Sequence, residues 1–184
     1  MQRKSPTRMA MLMSIFAFCA LYSWSIALSE GPNDIIKLPE CKYCGMNRKH
    51  FAHSRMVVNH KDGTSVGTCS INCTASDYIK ALDDSPISLQ VGDYLTHKLI
   101  DAHRAYWVIG GNVRGVMTEN AKWAFEKKTD AEAFIKTNGG KNATFDEVMK
   151  ASYEDIYEEM RTLKKMKLEY LRSKRSSSPG IGIN

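Results

Sequence analysis

Cys41-Lys42-Tyr43-Cys44-Gly45-Met46 is followed, one hairpin later, by a second sulfur pair, Cys69 and Cys73. Thiolates and thioethers select soft ions, so two close cysteine pairs point to a metal or redox centre. Between the pairs, Arg55-Met56-Val57-Val58-Asn59-His60 and Ser65-Val66-Gly67-Thr68 flank Lys61-Asp62-Gly63-Thr64. Asp-Gly between two such runs predicts a β-hairpin, because the turn needs a positive φ. The hairpin delivers Cys69 at its far end. From Ser70 to Leu82, Ile71, Ala75, Tyr78, Ile79 and Leu82 recur at helical spacing, with Ser70 or Asn72 available as a cap. Cys69 and Cys73 then share a face at a helix N-terminus, where the macrodipole is expected to lower thiol pKa values.

Upstream, Arg3, Lys4 and Arg8 precede the apolar run Met9 to Leu21 and the small-residue segment Ser25-Ile26-Ala27. That order predicts an export signal cleaved near Ala27, with an uncleaved anchor as the alternative. Phe18 stands before Cys19 where a lipoprotein signal needs a small residue. In an oxidising compartment the cysteines can form disulfides as readily as they bind metal. Residues 28–40, rich in turn formers, read as a linker.

The net charge of +6 is unevenly placed. Residues 161–175 carry seven Lys or Arg against Glu169, and residues 28–160 are net −3. An acidic body gives no electrostatic footprint for nucleic acid. The basic tail suits an anionic lipid surface or an acidic partner.

Beyond the first helix, Asp83-Asp84-Ser85-Pro86 is a breaker. Ile87 to Val91 and Ala105 to Ile109 read as strands, with Leu99 to Ala102 as a connector between them. Lys122 to Glu126 is strand-like, and Thr129 to Lys136 reads as a helix capped by Thr129 and stopped at Asn138-Gly139-Gly140. Strands followed by a helix thus occur twice, and Met56 to Ile79 parallels Met117 to Ile135 as a weak repeat. The expected architecture is α+β, two small related lobes (41–86 and 87–150). A basic amphipathic helix (151–175) and a disordered tail (176–184) follow. Met56, Trp107 and Trp123 are expected in the core. His50, His53 and His60 sit in polar surroundings and are expected at the surface.

Cys44-Gly45-Met46, Val91-Gly92-Asp93-Tyr94, Ile100-Asp101-Ala102, Ala105-Tyr106-Trp107-Val108, Gly115-Val116-Met117, Ala124-Phe125, Asp130-Ala131 and Phe134 together resemble the NosL family. The resemblance runs from about Cys41 to Val148. It implies an exported, periplasmic copper(I)-binding accessory protein, distantly similar in fold to organomercurial lyase, which supports nitrous oxide reductase maturation. It further implies Cys44, Met46 and Met117 as copper ligands, with His53, His97 or His103 as a histidine candidate. The expected partners are a client metalloenzyme or a copper donor or acceptor protein.

Cys41, Cys69 and Cys73 lie outside that pattern and allow a four-cysteine zinc site or a Cys69–Cys73 disulfide. The alternatives to copper delivery are therefore a zinc- or disulfide-stabilised interaction module and a thiol oxidoreductase. Carbon–mercury cleavage would rest on fold analogy alone.

Overall fold

The computed structural model describes residues 33–80 and 86–177. The expected export signal, most of the breaker after the first helix and the end of the tail lie outside them.

Strands β1 (Met56–Asn59) and β2 (Ser65–Thr68) form the expected hairpin, registered from Met56 opposite Thr68 to Asn59 opposite Ser65. Gly63 takes φ 84°, and the Asp62 carboxylate accepts from the Thr64 amide at 2.8 Å. The hairpin feeds helix α2 (Ile71–Lys80).

Strand β3 (Ser88–Gly92) pairs with the other edge of β1, and β4 (Leu99–Asp101) pairs with β3. The result is an antiparallel sheet of order β2-β1-β3-β4. Leu99 to Asp101, read as a connector, is a strand because pairing with β3 outweighs its short, weakly alternating sequence. The strands expected to open the second lobe thus complete the first sheet.

A second antiparallel sheet has the order β6-β5-β7, from β5 (Tyr106–Ile109), β6 (Lys122–Phe125) and β7 (Lys141–Ala143). Helix α3 (Lys128–Asn138) lies between β6 and β7 in sequence. It begins after Lys127 with no side-chain cap, so Thr129 is not the cap. The Gly139 amide closes it on the Ile135 carbonyl.

The two halves share a pattern: hairpin, helix, then a returning strand beside the first. β5 and β6 correspond to β1 and β2. Met117 therefore lies in the connection between β5 and β6, not at a strand start as Met56 does.

The second sheet is covered on both faces. Trp107, Ile109 and Ala124 join Met56, Val58, Leu89 and Val91 of the first sheet, with Ile71 and Ala75 of α2, in one core. Val108, Trp123 and Phe125 face a second core with Ala131 and Phe134 of α3, and three cysteines belong to it. Burial on both faces leaves no alternation in β6.

Helix α4 (Phe145–Ser177) starts at a capping box. The Thr144 amide donates to Glu147 at 2.7 Å, and the Glu147 amide donates to the Thr144 hydroxyl at 3.3 Å. Val148, Met149 and Ser152 are buried on the first core. The helix continues to Ser177, past the point where the tail was expected to begin.

The linker expected at 28–40 contains helix α1 (Asn33–Lys37). Its Asp34 pairs with the buried Arg48 at 3.0 Å and the buried Arg55 at 2.8 Å. Arg48 also donates to the Thr68 and Met56 carbonyls. It lies so close over β2 that a Cβ on Gly67 would meet its guanidinium carbon at 2.8 Å.

Candidate metal centre

Cys41 and Cys44 flank a tight reversal. The Cys41 carbonyl accepts from the Gly45 amide and the Met46 carbonyl from the Cys41 amide, both at 2.9 Å. Gly45 adopts φ 71°, a conformation disfavoured for any side chain with a Cβ, so Gly is required between Cys44 and Met46. The Lys42 amide donates to the Gly67 carbonyl at 3.0 Å and ties this turn to β2.

Cys69 immediately follows β2, and Cys73 lies in the first turn of α2. Ser54 donates to the Cys69 carbonyl at 2.8 Å and holds that junction.

These four sulfurs converge. Cys44 Sγ is 3.4 Å from Cys69 Sγ, Cys69 is 3.7 Å from Cys73, and Cys73 is 3.9 Å from Cys44. All four lie within 4.8 Å of one another. They are free thiols, and Cys69 and Cys73, for which a disulfide was one alternative, are not bonded. A tetrahedral ion with metal–sulfur bonds of about 2.3 Å separates its sulfurs by about 3.8 Å. The three separations among Cys44, Cys69 and Cys73 bracket that value, and Cys41 lies within reach of the same ion.

Hydrogen bonding and burial shift the three buried thiols in opposite directions. Hydrogen bonds from Cys69 and Cys73 hold Cys41 well below the ordinary thiol range. The same bonds to Cys41, together with burial, push Cys69 and Cys73 up. The helix N-terminus was expected to favour thiolate at Cys69 and Cys73. Donation to Cys41 outweighs it, because one negative charge in an apolar pocket discourages the next.

Access is asymmetric. Cys41, Cys69 and Cys73 are buried, and Cys44 is only half-buried. Met46 and Tyr43 are partly buried against the same cluster. Met117 is 42% exposed, with φ 57°, unusual for a residue with a Cβ. Its carbonyl accepts from Asn72 Nδ2 at 2.7 Å, which fixes its loop beside the helix that carries Cys73.

Lys122 supports the same loop from below. Its buried ammonium donates to Asp155 of α4 and to the Asn120 carbonyl, 2.9 Å away. Burial holds its pKa below the ordinary lysine value. Thr118 also donates to Asp155.

The histidines divide. His103 packs tilted against Phe145, with ring centroids 4.2 Å apart, at the start of α4. His53 is half-buried among Tyr94, Trp123 and His97, its ring centroid 5.5 Å from that of Trp123. His60 is buried and pairs with Asp77 at 3.4 Å, and Asp77 also accepts from Tyr43. The surface expectation thus fails for His53, which aromatic rings from distant segments surround, and for His60, which is buried beside Asp77 of α2. Among the described residues, the group of histidine, cysteine and acidic side chains able to hold a metal contains the four cysteines and no histidine.

Asp34, Arg48, Lys122 and Asp155 carried no signal for these roles in the sequence, and Asn72 only that of a helix cap, because each acts through a partner distant in the chain. The cysteines were legible because their spacing is local.

A family model described as NosL matches residues 32–153. A structure described as the copper chaperone NosL from Shewanella denitrificans is 26% identical, with a TM-score of 0.49. The alignment covers 59% of this chain and 87% of that one. A search of curated proteins gives no match.

Proposed function

The chain belongs to the NosL family, and from that premise we propose that it is an exported accessory protein that binds copper(I) and hands it to a client metalloenzyme. The convergence of four thiols, three buried and one half-exposed, carries this reading. Soft sulfur donors suit copper(I), and a site with one accessible thiol can pass its ion by ligand exchange. Cys44 is the proposed exchange ligand, backed by Cys41, Cys69 and Cys73. Met46 and Met117 are the proposed thioether donors at the rim. His103, turned to Phe145, is the weakest of the expected ligands. The client is a copper enzyme, with nitrous oxide reductase as the specific expectation, and the protein's role is transfer rather than catalysis.

Anaerobic copper(I) titration against a chelator tests this. Cys44→Ser and Cys73→Ser should each weaken binding more than about 100-fold, above the effect usual for a supporting residue. Met117→Ala should weaken it less and speed loss to the chelator. Parent-like affinity in both cysteine variants would remove the site.

One observation favours a second reading. Four cysteine sulfurs within 4.8 Å of one another, three of them 3.4–3.9 Å apart, are the donor set of structural four-thiolate zinc sites. Zinc retained through excess copper(I), with unfolding on chelation, would select this reading.

A further inference from the structure

Only the first turns of α4 pack on the body. From Tyr157 to Arg175 every residue is exposed. That stretch includes Met160, Leu163, Met166, Leu168, Tyr170 and Leu171, with Leu163 57% and Tyr170 63% exposed. It lies beyond residue 153, where the family match ends. Leaving these side chains in water is unfavourable, so the face calls for an occupant.

Charge identifies the occupant. From residue 161 to residue 175, Arg161, Lys164, Lys165, Lys167, Arg172, Lys174 and Arg175 are opposed by Glu169 alone. Acidic residues instead crowd the body-proximal turns, at Glu154, Asp155, Glu158 and Glu159.

Positions 160, 163, 167, 170 and 174 follow the three-and-four spacing of one helix stripe. Lys167 and Lys174 therefore share a stripe with Met160, Leu163 and Tyr170. If two copies paired along it, like charges would be buried in the seam. On a lipid surface the same lysines reach outward to phosphates while the apolar side chains sink among the acyl chains. Among the described residues no helix is long and apolar enough to cross a membrane, so lipid contact by this segment would be along a surface and not across it.

We propose that residues 157–175 of α4 dock in the plane of an anionic lipid surface. This goes beyond the metal site and stands without it.

Segment-resolved amide hydrogen exchange on the full chain tests it, with vesicles of equal phosphatidylglycerol and phosphatidylcholine against phosphatidylcholine alone. Exchange is read segment by segment, so attachment through another part of the chain leaves the comparison intact. Amides of 157–175 should slow about tenfold or more on the anionic vesicles and recover in about 0.5 M salt, where charge attraction is screened. The combined Lys164→Glu, Lys165→Glu and Lys167→Glu variant, altered only at exposed positions, should lose the slowing. Equal exchange on both vesicle types overturns the proposal. So does protection that grows with protein concentration in the absence of vesicles, which would assign the face to a second copy.

Discussion

His53 shows how one residue couples packing to pH. Burial, reinforced by His97, holds its pKa below 6.5, so the folded chain keeps it neutral to lower pH than the unfolded chain does. The unfolded chain takes up a proton near pH 6.5 and binds more protons than the folded chain below that point. Stability is therefore full above that range and falls as pH drops through 6.5 toward the folded value. Urea denaturation between about pH 5 and 7.5 should show this slope, and His53→Gln should flatten it. An unchanged slope would place the pH sensitivity elsewhere.

The sequence made the cysteine pairs visible at this scale, because two and three intervening residues are readable spacings. It did not make visible that Cys41 is held below the ordinary thiol range, because that depends on hydrogen bonds to Cys69 and Cys73, more than 25 residues away.

Among the elements, α1 matters more than its five residues suggest. Asp34 is the carboxylate partner of two guanidiniums, Arg48 0% and Arg55 1% exposed. Asp34→Ala leaves both cations without it and should cost about 3–5 kcal/mol in urea denaturation, the range for breaking a buried ion pair from one side. Asp155→Ala should act the same way on Lys122 but less strongly, about 2 kcal/mol, because Asp155 is 25% exposed and carbonyl acceptors remain.

Hairpin β1–β2 and helix α2 were readable, since Asp62-Gly63 and helical periodicity are local signals. β4 and β7 were not, because three residues acquire strand character only from a partner. The Thr129 cap failed for a related reason: the helix starts one residue before it, and the preceding Lys127 is extended.

For the whole molecule, the division between body and projecting helix yields a direct prediction. A chain ending at Met160 should keep its melting temperature within about 2 °C, since exposed residues contribute little to stability. Copper(I) affinity should be unchanged, with helical signal reduced in proportion to the residues removed. Calorimetry and circular dichroism check both parts, and a large loss of stability would mean that the distal helix packs on the body in solution. The α+β class and the paired lobes were legible from the order of elements. The lobe boundary was not, because β3 joins the first hairpin by strand pairing, which no local pattern encodes.

The four sulfur donors all lie between Cys41 and Cys73, whereas Val116, Trp123 and Phe134, which join three of them in the second core, come later in the chain. Synthesis proceeds from the N-terminus, and early segments emerge first. The cage is thus chemically complete before its apolar wall has been made. The residues that follow supply the apolar cover over three of those four sulfurs.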